Sequence, residues 1–247
     1  MLRPLTPFAF AIAMAATPAC AGVHEDMVAL DRAYVPALAL TNQPKAEPAQ
    51  KALAKLRSAW NRFNGTYATA PSGYEAATWA KSGAEVEAAI TAAEKSMAAG
   101  RSAAAHDDLE RVRDSQFALR RASRQPYFMD DLTAYHAAME AIASPAAAKT
   151  AATISDADIA AIVAALPGAK RTWQDVLANR AQAGKHGLSV DTEPLVQRDI
   201  DATTQILADL DAALATGDRA RIAEKAMASK PAFSRLFQKF GDFDGLR

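Results

Sequence analysis

Chemistry in this chain has few residues to work with, because there are four histidines and one cysteine among 247 residues. Two histidines recur in one spacing, His106-Asp-Asp-Leu-Glu110 and His136-Ala-Ala-Met-Glu140. Histidine and glutamate four apart share a helix face, where an imidazole nitrogen and a carboxylate oxygen can reach one ion. Met139, with Met129 nearby, adds thioether sulfur, a donor that suits copper(I). His106, Glu110, His136, Met139 and Glu140 therefore form a candidate site for copper or iron. The competing reading is two ordinary surface pairs, each worth roughly a few tenths of a kcal/mol.

His24 offers a second route to a metal. Cleavage after Ala21 leaves Gly22-Val23-His24, whose free amine, two backbone amides and imidazole make a square-planar nitrogen set for copper(II) or nickel(II). His186, between Gly184 and Gly187, reads as a solvated loop residue. Arg111, Arg113, Arg120, Arg121 and Arg124 read as a solvated basic face balanced by Asp107, Asp108, Glu110 and Asp114. Trp60, Trp79 and Trp173 read as core anchors.

Other chemistries lack their residues. There is no phosphate-binding glycine loop, no dinucleotide fingerprint and no H-E-x-x-H zinc motif. No serine sits in a nucleophile elbow, and no pair of E-x-x-H motifs marks a di-iron carboxylate bundle. The sequence therefore predicts no enzyme.

The elements that must position the histidines are helices. Alanine makes up about a quarter of the chain and aromatics only 7%, a balance that favours helix over sheet. Apolar residues step by three and four along Met27–Leu30–Tyr34, Leu56–Ala59–Phe63, Ala105–Leu109–Val112–Gln116 and Leu132–Tyr135–Met139, and on to Phe233–Phe237. Ser72 with Glu75, Ser102, Ser155 with Asp158, Asp191 and Asp218 are candidate N-terminal caps. Gly100 and Gly217 suit left-handed helix ends. Pro36 and Pro231 predict kinks or breaks, and 181–190 reads as a loop.

The pattern also repeats. Leu56-Arg-Ser-Ala-Trp60 matches Ala169-Lys-Arg-Thr-Trp173, and Met97-Ala-Ala-Gly100 matches Leu214-Ala-Thr-Gly217. The expected fold is all-α, two tandem up-down four-helix-bundle-like halves at 22–125 and 126–247. In a straight hairpin turning near Tyr127, His136 lies level with residue 118, roughly 18 Å along the axis from His106, while Glu110 and Glu140 are offset by roughly 6 Å. Both histidines also lie about 80–100° off the core stripes. Such a hairpin cannot bring all four side chains to one ion; burial at a seam between the halves is the arrangement that could.

Residues 1–21 read as a secretory signal. Arg3 gives the positive start, Phe8 to Ala16 the apolar run, and Ala19-Cys20-Ala21 the cleavage site. The expected destination is the periplasm. Cleavage removes the only cysteine, and with it disulfides, thiolate metal sites and covalent haem. A lipid anchor on Cys20 is the alternative. No later segment is apolar enough to span a bilayer.

The closing helix, Gly217-Asp-Arg-Ala-Arg-Ile-Ala-Glu to Phe237-Gln-Lys-Phe240, resembles that of the periplasmic four-helix-bundle cytochromes of the c-prime and b-type kind. The resemblance implies the bundle and counts against its haem: there is no C-x-x-C-H, and Phe237 stands where the b-type family has its axial histidine. Lys plus Arg and Asp plus Glu are both 28, which argues against a nucleic-acid binder. A metal-free module that docks a periplasmic protein partner is the alternative function.

Overall fold

The computed structural model describes residues 22–43 and 46–246. The expected signal segment 1–21, with Cys20 and the expected cleavage site, lies outside the described residues. Among the described residues there are eight α-helices, one 3-10 helix and no strand. The helices are α1 (Val23–Thr41), α2 (Ala46–Thr66), α3 (Ala76–Ala98), α4 (Ser102–Ala122), α5 (Phe128–Ala146), α6 (Asp156–Asn179), α7 (Glu193–Thr216) and α8 (Arg219–Gln238). None is long and apolar enough to cross a membrane.

Several ends follow the sequence. Ser155 and Asp158 form a reciprocal capping box on α6, and Asp218 accepts the Arg221 N–H at the start of α8. Gly100 and Gly217 take positive φ, 71° and 68°, where a Cβ would be strained. Others differ. Glu75 itself caps α3, accepting the N–H groups of Ala77 and Thr78, so Ser72 is not the cap. Ser102 lies inside α4 and donates to the Thr41 carbonyl of α1. Thr192 precedes α7, and its N–H bonds to the Ser189 hydroxyl rather than to an Asp191 cap. The expected loop at 181–190 starts as a 3-10 helix, Arg180–His186, ended by Gly187 at φ 65°. Pro36 and Pro231 sit inside α1 and α8 without ending them.

Each half packs as a ring: α1 on α2 and α4, α3 on α2 and α4; then α5 on α6 and α8, α7 on α6 and α8. The rings meet where α1 touches α8 and α4 touches α5. This junction explains why Tyr34 through Leu38 are buried at every position: a helix that faces its own ring and the other one is apolar all round. Buried side chains of both halves form one continuous cluster.

The repeated tryptophans occupy corresponding places. The Trp60 indole N–H donates across to Glu87 on α3 at 2.7 Å, and the Trp173 indole N–H donates to Thr204 on α7 at 2.9 Å. The separations are 27 and 31 residues, the same four-residue difference found between each tryptophan and its helix-ending glycine.

The segment after α8 turns back onto the first half. The Asp242 N–H donates to the Arg32 carbonyl at 2.8 Å, and Lys55 Nζ to the Asp244 carbonyl at 2.6 Å. Leu246 is buried there.

Candidate functional site at the seam between the two halves

The seam is organised by charge, part of it from the basic run that was expected on a solvated face. Arg120, 3% exposed, donates from Nε to both Asp130 oxygens at 3.0 Å and from Nη2 at 2.6 Å. Its Nη1 bonds to Gln116 at 2.9 Å, and its guanidinium carbon lies 4.1 Å from the centre of the Tyr127 ring. The Tyr127 hydroxyl donates to Asp31 at 2.7 Å. Burial outweighs the Arg120 charge and the Tyr127 bond at Asp31, pushing its carboxyl up to about 6. Arg113 is also largely enclosed, with 10% of its side chain exposed. The basic run is thus not one solvated face. Arg111, Arg121 and Arg124 are exposed, whereas Arg113 and Arg120 turn inward because they extend the core stripe through Val112 and Gln116. A charge at a stripe position was the available sequence signal.

The Arg120–Asp130 pair also fixes the register of α4 against α5. Residues lie level when their numbers sum to about 250, which puts the turn about two residues earlier than Tyr127. On that register His106 and His136 would be offset by roughly 12 Å along the axis rather than roughly 18 Å, and both line one seam cavity. His106 Nε2 lies 3.8 Å from Glu110 and His136 Nε2 3.6 Å from Glu140.

One cavity of about 410 Å³ at the seam is lined by His106, Glu110, His136, Met139 and Glu140, all five residues picked from the sequence. Arg113 and Lys230 line it too. Lys230 Nζ stands 2.8 Å from Glu140, and Arg113 3.4 Å from Glu110. His106 Nδ1 lies 2.9 Å from the Leu38 carbonyl. A carbonyl only accepts, so Nδ1 donates to it and holds the ring with Nε2 toward Glu110, the kind of hydrogen bond that orients a metal-binding histidine. Burial first, then the charges of Arg113, Lys230 and His106, hold His136 down to about 3, so it is a neutral donor near pH 7. Met139 is fully buried at the cavity wall. Met129 does not line this cavity; it packs beside Arg120 and Thr133 deeper in the seam. As placed, no three His, Cys, Asp or Glu side chains among the described residues are grouped to hold an ion. The donor types fit a transition metal, and closing on one requires the glutamates to leave their present ion pairs.

His24 and His186 lie in another seam cavity, of about 330 Å³. His186 is 3% exposed and is not a solvated loop residue: the 3-10 turn folds its ring in against Tyr127, at 4.6 Å between centroids, and against Phe128 and Phe240. His24, in the first turn of α1, packs 5.3 Å from the Tyr127 ring. A square-planar set of its own amides would require that turn to unwind, since Asp26 N–H already bonds to the Gly22 carbonyl. Trp60, Trp79 and Trp173 are buried anchors, as expected.

No family model, curated protein or solved structure matches the chain.

Proposed function

We propose that this is an exported, non-enzymatic protein that handles copper or iron, built as two tandem four-helix bundles, 22–125 and 126–247, with the ion held at their seam. The observation that carries this reading is that His106, from the first half, and His136, from the second, line one cavity with Glu110, Met139 and Glu140. Two imidazoles with a carboxylate pair suit iron(II) or copper(II), and the buried thioether tilts the set toward copper(I). Arg113 and Lys230 answer the carboxylates at present, so binding exchanges two ion pairs for coordination. Because neither half supplies both histidines, the site exists only when the halves are docked.

The test is metal analysis of the exported protein with a denatured mass on the same sample. A chain beginning at Gly22, with one copper or iron that is lost in His106→Gln and in His136→Gln, supports the reading. A folded wild-type chain that takes up neither metal overturns it and leaves docking to a protein partner as the function to pursue.

A further inference from the structure

We propose that His24 and His186 form a second transition-metal site at the Tyr127 end of the seam, taking a borderline divalent ion such as zinc or copper(II) through two imidazole nitrogens and water. It uses none of the residues of the cavity at His106 and stands or falls separately from it.

Three observations carry it. The first is spacing. A metal lies about 2.0–2.1 Å from an imidazole nitrogen, hence about 3.2 Å from the ring centre, so two rings on one ion have centres roughly 5.2 Å apart at a tetrahedral angle and roughly 6.4 Å apart when trans. The centres of His24 and His186 are 6.0 Å apart, with their planes at 61°. The second is unused donors. Nε2 of His24 is buried without a hydrogen-bond partner. His186, 97% buried by the complement of its exposure, has no hydrogen bond to any described residue. Buried imidazole nitrogens are seldom left bare without a use. The third is the lining. Both rings and the carboxylates of Asp131 and Asp175 line the same cavity. Arg121 and Lys185 at the rim oppose the ion and limit its affinity.

The experiment is equilibrium titration of the full chain with zinc and, separately, copper(II), comparing wild type, His24→Gln, His186→Gln and the pair His106→Gln/His136→Gln. The expected result is that His24→Gln and His186→Gln each weaken one binding event at least tenfold, while the His106/His136 pair leaves that event intact. If both single variants fold and bind as wild type does, the site is absent, whatever happens at His106. If His24→Gln abolishes binding and His186→Gln does not, His186 is not a ligand, and the inference falls. Should His186→Gln fail to fold, copper(II) broadening of the wild-type histidine NMR signals decides: loss of both the His24 and His186 resonances supports the site, and their persistence overturns it.

Discussion

Arg120 and Asp130 join α4 to α5 through a two-point bond buried at the junction, and the register of the whole seam follows from it. Leaving either charge without the other in that enclosure should cost about 3–5 kcal/mol. Arg120→Met and Asp130→Leu are therefore each expected to lower the denaturant midpoint strongly, while Arg120→Met/Asp130→Leu should lose much less than the sum. Additive losses in a double-mutant cycle would show that the pair does not act as a unit.

At the proposed site, Met139 is the residue that should separate copper from iron. It is fully buried on the cavity wall, so Met139→Leu conserves volume and should cost below about 1.5 kcal/mol in stability. Copper(I) affinity should fall at least tenfold and iron affinity should not change. A competition titration against a copper(I) chelator reads the difference; equal losses for both metals would mean that the sulfur does not coordinate.

Stability should depend on pH in two opposed ways. Asp31 is raised from 3.8 to about 6, chiefly by burial. A raised carboxyl favours folding fully below pH 3.8 and loses that advantage as pH rises through about 6. Asp31→Asn, which still accepts from Tyr127, should match wild type near pH 4 and exceed it by about 2–3 kcal/mol at pH 7–8. His136 and His186, lowered from 6.5 to about 3, act oppositely: their contribution is complete above pH 6.5 and is lost as pH falls toward 3. His136→Gln should therefore flatten the fall in melting temperature between pH 6.5 and 4. Thermal melts across that range test both signs.

Gly241 has no room for a side chain. A Cβ there meets Pro36 Cδ at 2.9 Å, Val35 Cγ1 at 2.9 Å and Phe243 Cε2 at 2.8 Å. The proline ring and the fully buried valine cannot yield cheaply, so Gly241→Ala should destabilise by about 1–3 kcal/mol. Gly100→Ala, open in space but at φ 71°, is the contrasting case, with about 1 kcal/mol of backbone strain alone. Chemical denaturation of the two variants gives the comparison.

What could be read from the sequence divides along physical lines. The stripe through Leu132, Tyr135 and Met139 was legible because one helix buries one face against its own ring. Trp60 and Trp173 were legible because the repeat places each against the α-helix that follows its own. His106 and His136 were legible as donors, but not as neighbours. Their meeting depends on a turn two residues earlier than Tyr127, fixed by a buried ion pair that periodicity does not record. His186 was misread because flanking glycines signal a turn without saying what the turn packs against. Asp31, Arg120 and Asp130 were missed because charge counted as surface, although Arg120 continues the stripe of Gln116.

The return of residues 240–246 onto α1 and α2 makes assembly depend on order. Synthesis delivers the first ring well before the strap that covers Arg32, Lys55 and Pro36 exists. Without that strap, Val35 and Pro36 lose the cover of Gly241 and Phe243. Residues 240–246 thus fasten α8 to the first two helices. A chain stalled before residue 240 should be cut by protease at α1 and α2 sooner than one that carries the strap.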